Sequence, residues 1–132
     1  MAFYRSGGGG DLTETTLWTN ESPTSSIAAE TDISLSQGYN NFDYIGVYFR
    51  VTTLIDTTYL VMCPTSVFDN ATPSSGFRLC LSNYTNSYTA ARTIWRGSTS
   101  NYTSLKVSAG YRINSTSTAN SNVIPTKIVG LK

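Results

Sequence analysis

Phe42-Asp43-Tyr44-Ile45-Gly46-Val47-Tyr48-Phe49-Arg50-Val51-Thr52 is the stretch whose reading decides the fold. Ile45, Val47, Phe49 and Val51 fall on one face, and Tyr44, Tyr48 and Arg50 on the other. A period of two is that of a half-buried strand and does not suit a helix. Branched and aromatic side chains also pack well on a pleated surface. Ile27 to Leu35 repeats the pattern, with Ile27, Ala29, Thr31, Ile33 and Leu35 on one face.

Working outward, further short strands are predicted over 13–18, 59–63, 77–81, 90–96, 102–107, 111–113 and 124–129. Turn clusters separate them, among them Asn20-Glu21-Ser22-Pro23 and Ser36-Gln37-Gly38-Tyr39-Asn40-Asn41. No segment keeps an apolar period of 3.6 residues, so no long helix is expected. About eight or nine strands at regular spacing predict an all-β fold, an antiparallel β-sandwich of jelly-roll-like type. Residues 13–132 are read as one such domain, and residues 1–12 as a glycine-rich arm.

The composition agrees. Only 13% of the 132 residues are charged, about half the usual share. Ser, Thr and Asn fill the gap, and there are 9 tyrosines. A net charge of +1, without a basic run, argues against nucleic acid as a partner. No apolar run is long enough to span a bilayer, so membrane insertion is not expected. The first residues lack the apolar core of a secretion signal, so synthesis and folding in a cytoplasm are expected.

There is no histidine, which removes the usual base of a Ser or Cys nucleophile and the commonest metal ligand. The 8 acids are scattered. Glu30 and Asp32 would stand about 6.5–7 Å apart on one strand face, a spacing that glycoside hydrolysis permits and that any pair of alternate acids shows. They are read as solvated surface acids. Cys63 and Cys80 each sit in an apolar run and are read as buried thiols, with a single bridge between strands as the alternative. No phosphate-cradling loop or calcium-loop spacing is present. The expectation is therefore a protein that is not an enzyme, with no cofactor and no metal site. Asn-X-Ser/Thr sequons at Asn20, Asn70, Asn83, Asn101 and Asn114 are what so many Asn, Ser and Thr produce by chance.

Two features point to binding. Tyr84, Tyr88, Trp95 and Tyr102 lie among Ser, Thr and Asn, and their flat rings with polar tips suit contact with a glycan. Trp18 and Trp95 also adjoin the apolar positions of strands, which favours a core or subunit-interface role for both. Tyr84 and Tyr88 are placed in a loop. In the arm, Gly7, Gly8, Gly9 and Gly10 form a run that is a flexible coil when free. A terminus is ordered only where something ties it down, so Phe3, Tyr4 and Arg5 are expected to anchor the arm on another chain.

Three stretches carry a family resemblance. One runs from Thr13-Glu14-Thr15-Thr16-Leu17-Trp18-Thr19-Asn20 through Ser22-Pro23-Thr24-Ser25 and Ile27–Leu35 to Asn41-Phe42-Asp43-Tyr44-Ile45. A second is Arg92-Thr93-Ile94-Trp95-Arg96, followed by a polar turn and Tyr111-Arg112-Ile113. The third is the ending Ile124-Pro125-Thr126-Lys127-Ile128-Val129-Gly130-Leu131-Lys132. Their order resembles a C-terminal domain of tail-fibre-like and other virion appendage proteins from phages and prophages of Gram-positive gut bacteria. That family often has a cysteine before the Ile-Pro ending, where Val123 stands here.

The resemblance implies a virion structural protein, a homotrimer displayed on the particle surface and made in the host bacterial cytoplasm. In place of a long fibre shaft this chain has the short arm. That points to a short tail or head fibre, a decoration protein or a small baseplate or tail-tip subunit. Its arm would dock on a capsid, portal or tail protein. A host cell-surface glycan is a further expected partner, and the alternative reading is a free carbohydrate-binding module.

Overall fold

The computed structural model describes residues 2–4, 11–23, 25–51, 54–69, 79–85, 88–98, 100–112 and 123–132; for 2–4, 54–57, 68, 79–85 and 88 it describes the backbone. The strands are β1 (Ala2–Tyr4), β2 (Asp11–Thr19), β3 (Asp32–Ser34), β4 (Tyr44–Val51), β5 (Leu54–Pro64), β6 (Leu79–Thr85), β7 (Tyr88–Arg96), β8 (Ser104–Val107), β9 (Tyr111–Arg112) and β10 (Val123–Leu131). A single helical turn, α1 (Thr65–Phe68), follows β5, and a 3₁₀ turn spans Tyr39–Asn41. Among the described residues no helix is long and apolar enough to cross a membrane.

Two antiparallel sheets form the sandwich. The first has the order β1-β2-β10-β4-β5, and the second has the order β3-β8-β7-β6, with β9 also on β7. β2 pairs with β10 and β3 with β8, so the two ends of the domain nest in the jelly-roll-like manner. β4 with β5 and β6 with β7 are plain hairpin neighbours. The inward faces meet in one core: Leu17, Ile45, Val47, Phe49, Cys63 and Ile128 from the first sheet, and Ile33, Ala90, Ile94, Leu105 and Val107 from the second. Ile45 and Val47 are wholly buried, as the alternation of β4 requires.

β10 is the central strand of the first sheet, paired to β4 from Val123 to Leu131 and to β2 from Lys127 to Leu131. Pro125 cannot donate to a ladder, so a proline here needs an irregularity. One follows it at once: the register to β4 slips between Pro125 and Lys127, and Thr126 is the extra residue. A second slip, between Ile128 and Val129, faces β2.

The alternation over 27–35 holds only for its second half. Ile33 and Leu35 are buried, but Ala29 is exposed, and Glu30 adopts a left-handed φ of 61°. That conformation costs a residue with a Cβ and ends the strand pattern. β3 therefore covers Asp32–Ser34, and Glu30 belongs to a turn. Arg50, placed outward by period two, is nonetheless buried: its Nε donates to the Pro23 carbonyl, so the segment after β2 lies over it.

Among the described residues Arg92 is the largest fully buried side chain. Its Nε donates to Ser108 O at 2.8 Å, its Nη1 to Val123 O at 3.3 Å and its Nη2 to Ile27 O. Burial pulls the guanidinium down to about 10, so it remains charged at neutral pH. It ties β7 to β10 and to two irregular segments, where carbonyls need donors.

The boundary drawn at residue 12 falls inside β2, where Leu12 is buried. Ala2–Tyr4 pairs within the chain, as Ala2 with Thr13, Phe3 with Leu12 and Tyr4 with Asp11. The arm thus begins as an edge strand of its own domain. Arg5 and Gly7 to Gly10 lie outside the described residues.

Candidate functional site

The outer face of the first sheet carries an open groove of about 430 Å³, lined by Thr19, Asn20, Pro23, Tyr48, Thr58, Thr126 and Lys127. Four adjacent strands build it. β2 ends in Thr19, β4 contributes Tyr48, β5 contributes Thr58, and β10 contributes Thr126 with Lys127. In a regular strand two consecutive residues point to opposite faces. The slip at Thr126 is what lets both it and Lys127 line one groove.

Asn20 closes one side. Its backbone N–H donates to Thr126 O at 2.9 Å, and its Nδ2 donates to Pro125 O at 3.1 Å. Its Oδ1 accepts from Ser22 N at 2.9 Å, which turns the chain toward Pro23. Asn20 is therefore a rigid wall.

At the other side a polar trio is already satisfied. Tyr48 donates its hydroxyl to Glu14 Oε2 at 2.8 Å, and Lys127 Nζ donates to Glu14 Oε1 at 3.1 Å. The Lys127 ammonium also lies 4.5 Å from the centroid of the Tyr48 ring. Burial alone raises the Glu14 pKa. The Tyr48 hydroxyl and the Lys127 ammonium outweigh it, and the carboxyl ends below its ordinary value. Tyr48, buried beside this carboxylate, is pushed up to about 12. At neutral pH the trio is one anion and one cation that cancel. Among the described residues, the hydroxyls of Thr19, Thr58 and Thr126 have no hydrogen-bond partner.

Of the aromatic residues expected to meet a glycan, the side chains of Trp95 and Tyr102 are described, and only the backbone of Tyr84 and Tyr88. Trp95 is in the core, 3% exposed, because it neighbours the apolar positions of β7; its ring is not open to a ligand. Tyr102 is half-buried, edge-on to Tyr39 at 5.5 Å, with Arg96 over its ring at 5.1 Å. Tyr39 in turn donates to Asp69 Oδ1 at 3.2 Å, and Arg96 lies 3.7 Å from the same carboxylate. This cluster pins the segment after α1 to β7. Tyr84 and Tyr88 stand in strands and not in a loop: Tyr84 pairs with Thr89 and Tyr88 with Thr85, at the end of the β6–β7 hairpin.

Glu30 and Asp32 do not form an acid pair. Glu30 is in the turn, and Asp32 is bound by Lys106 Nζ at 3.0 Å. Among the described residues there is no group of three or more His, Cys, Asp or Glu that could hold a metal ion. Cys63 is a buried thiol in no disulfide, on β5 of the first sheet, and its Sγ donates to Pro64 O at 3.5 Å, whereas Cys80 belongs to β6 in the second sheet.

Sequence reasoning missed the groove, although it placed Tyr48 on the outward face of its strand. Glu14 and the groove residue Lys127, which it binds, are 113 positions apart. The signal within reach was Pro125 in a strand pattern, which foretells a bulge and a re-aimed neighbour. No protein-family model matches this sequence, and no curated protein matches it.

Proposed function

We propose that this chain is a structural protein of a phage particle, a short surface appendage such as a tail or head fibre, decoration or tail-tip subunit. It is made in the host cytoplasm, assembles as a homotrimer, docks on another virion protein through its N-terminal residues and contacts host-surface glycans. It performs no catalysis in this reading. The resemblance over most of residues 13–132 suggests the particle.

One observation carries the docking part. β1 is the outer strand of the first sheet, paired to β2 on one side. An edge strand turns N–H and C=O groups away from its own sheet, where a strand of another chain can add to them.

The test is incorporation into particles. Mass spectrometry of purified virions is expected to find the chain, and a variant lacking residues 1–10 is expected to fold but stay out of the particle. If virions lack the full chain, or the truncated chain incorporates equally well, the proposal fails. The groove supports the second reading, a free carbohydrate-binding module. Its mark would be glycan binding by a chain that no virion contains.

A further inference from the structure

We infer that the groove across β2, β10, β4 and β5 is the glycan site, and that its ligand is an uncharged saccharide. The inference deepens the glycan-contact part of the proposed function and rests on it. Its size lies within the range of small-ligand sites, roughly 300–1,000 Å³.

The chemistry of the lining selects the ligand. Thr19, Thr58 and Thr126 present hydroxyls that no group among the described residues engages. Each can both donate and accept, which matches the paired capacity of a sugar hydroxyl. Pro23 and the Tyr48 ring add apolar surface against which the C–H face of a pyranose packs. The fixed Asn20 and the bulge at Thr126 hold these groups still before a ligand arrives.

Charge excludes the alternatives. The cation in the lining, Lys127, is neutralised by Glu14 at 3.1 Å and held on the Tyr48 ring. An anionic sugar would have to compete with that carboxylate, and a cationic one would meet the ammonium. A ligand without charge disturbs neither. The hairpin carrying Tyr84 and Tyr88 is then a separate surface.

NMR titration of the full, isotope-labelled chain tests this, with cellotetraose, maltotetraose and chitotetraose as neutral probes and tetragalacturonate as the charged one. At least one neutral probe is expected to shift the amides of Thr19, Asn20, Thr58 and Lys127, with a Kd on the order of a millimolar. Thr58→Val and Thr126→Val keep shape and lose one hydroxyl, so each is expected to weaken binding about fivefold while Tm stays unchanged. Tyr84→Ala and Tyr88→Ala are expected to leave Kd unchanged. Shifts confined to the 84–88 hairpin, tighter binding of tetragalacturonate, or no shift with any neutral probe at about 10 mM each overturn the inference. None of those outcomes touches particle docking, which virion incorporation reads separately.

Discussion

Gly130 lies in β10 beneath the ring of Phe42, and a Cβ there would stand 2.3 Å from the ring carbon Cγ. Neither the ring nor the central strand can yield that much without repacking. Gly130→Ala is expected to cost about 1–3 kcal/mol, a drop of several degrees in Tm. Gly46→Ala is the milder comparison, since its Cβ would meet Val129 at 3.0 Å and Leu60 at 3.2 Å. Equal melting of Gly130→Ala and the parent would show that the contact is relieved easily. Glu14 makes a second argument at this scale. Its pKa is lowered on folding, so its contribution is present above the ordinary value of 4.5 and is lost as pH falls through the folded value. Glu14→Gln is therefore expected to lower Tm at pH 7, with the gap to the parent narrowing as the pH falls below the ordinary carboxylate value. A gap that does not change on acidification would mean that the effect is one of packing and not of charge.

Among elements, position in the sheet sets stability. β10 is flanked on both sides, and its Ile128, Val129 and Leu131 are wholly buried. β1 is a three-residue edge strand, and β9 has two residues on β7. In hydrogen exchange the amides of 128–131 are expected to be slowest, near the global unfolding limit, and those of 2–4 and 111–112 fastest. Comparable protection of 2–4 in the isolated chain would mean that the outer side of β1 is already covered and not open to a strand of another chain. The elements also show where local pattern fails. Strand β3 is short because Glu30 turns left-handed within an otherwise alternating stretch. Hydrophobic periodicity is blind to a turn that a single backbone angle introduces.

At the scale of the molecule, two sheets enclose one core, and loops are fastened to it by buried arginines. Arg92 reaches Ile27 and Ser108, Arg50 reaches Pro23, and Arg96 reaches Asp69. The planar guanidinium holds five donors in a fixed fork, which suits one arginine to several carbonyls at once. The sandwich thereby holds its irregular segments rigid, and one of them, with Asn20 and Pro23, forms the wall of the groove. The groove and the edge at β1 belong to the same sheet but share no residues, so the proposed docking and the proposed ligand contact would not compete.

What the sequence determined by itself is what short-range chemistry controls. Alternation in 44–51 assigned Ile45, Val47, Phe49 and Val51 to the core, because the faces of a strand repeat every two residues. β-rich composition and the missing 3.6 period assigned the class. Tertiary structure decided the rest: Trp95 inside and not on a binding face, Arg50 covered, Tyr84 and Tyr88 in paired strands, residues 2–4 on the domain's own edge. It also brought Glu14, Tyr48 and Lys127 together. Such choices depend on which distant strands pair and with what slip, as at Thr126. Those pairings are set by the summed packing of both sheets, which no local stretch of sequence contains.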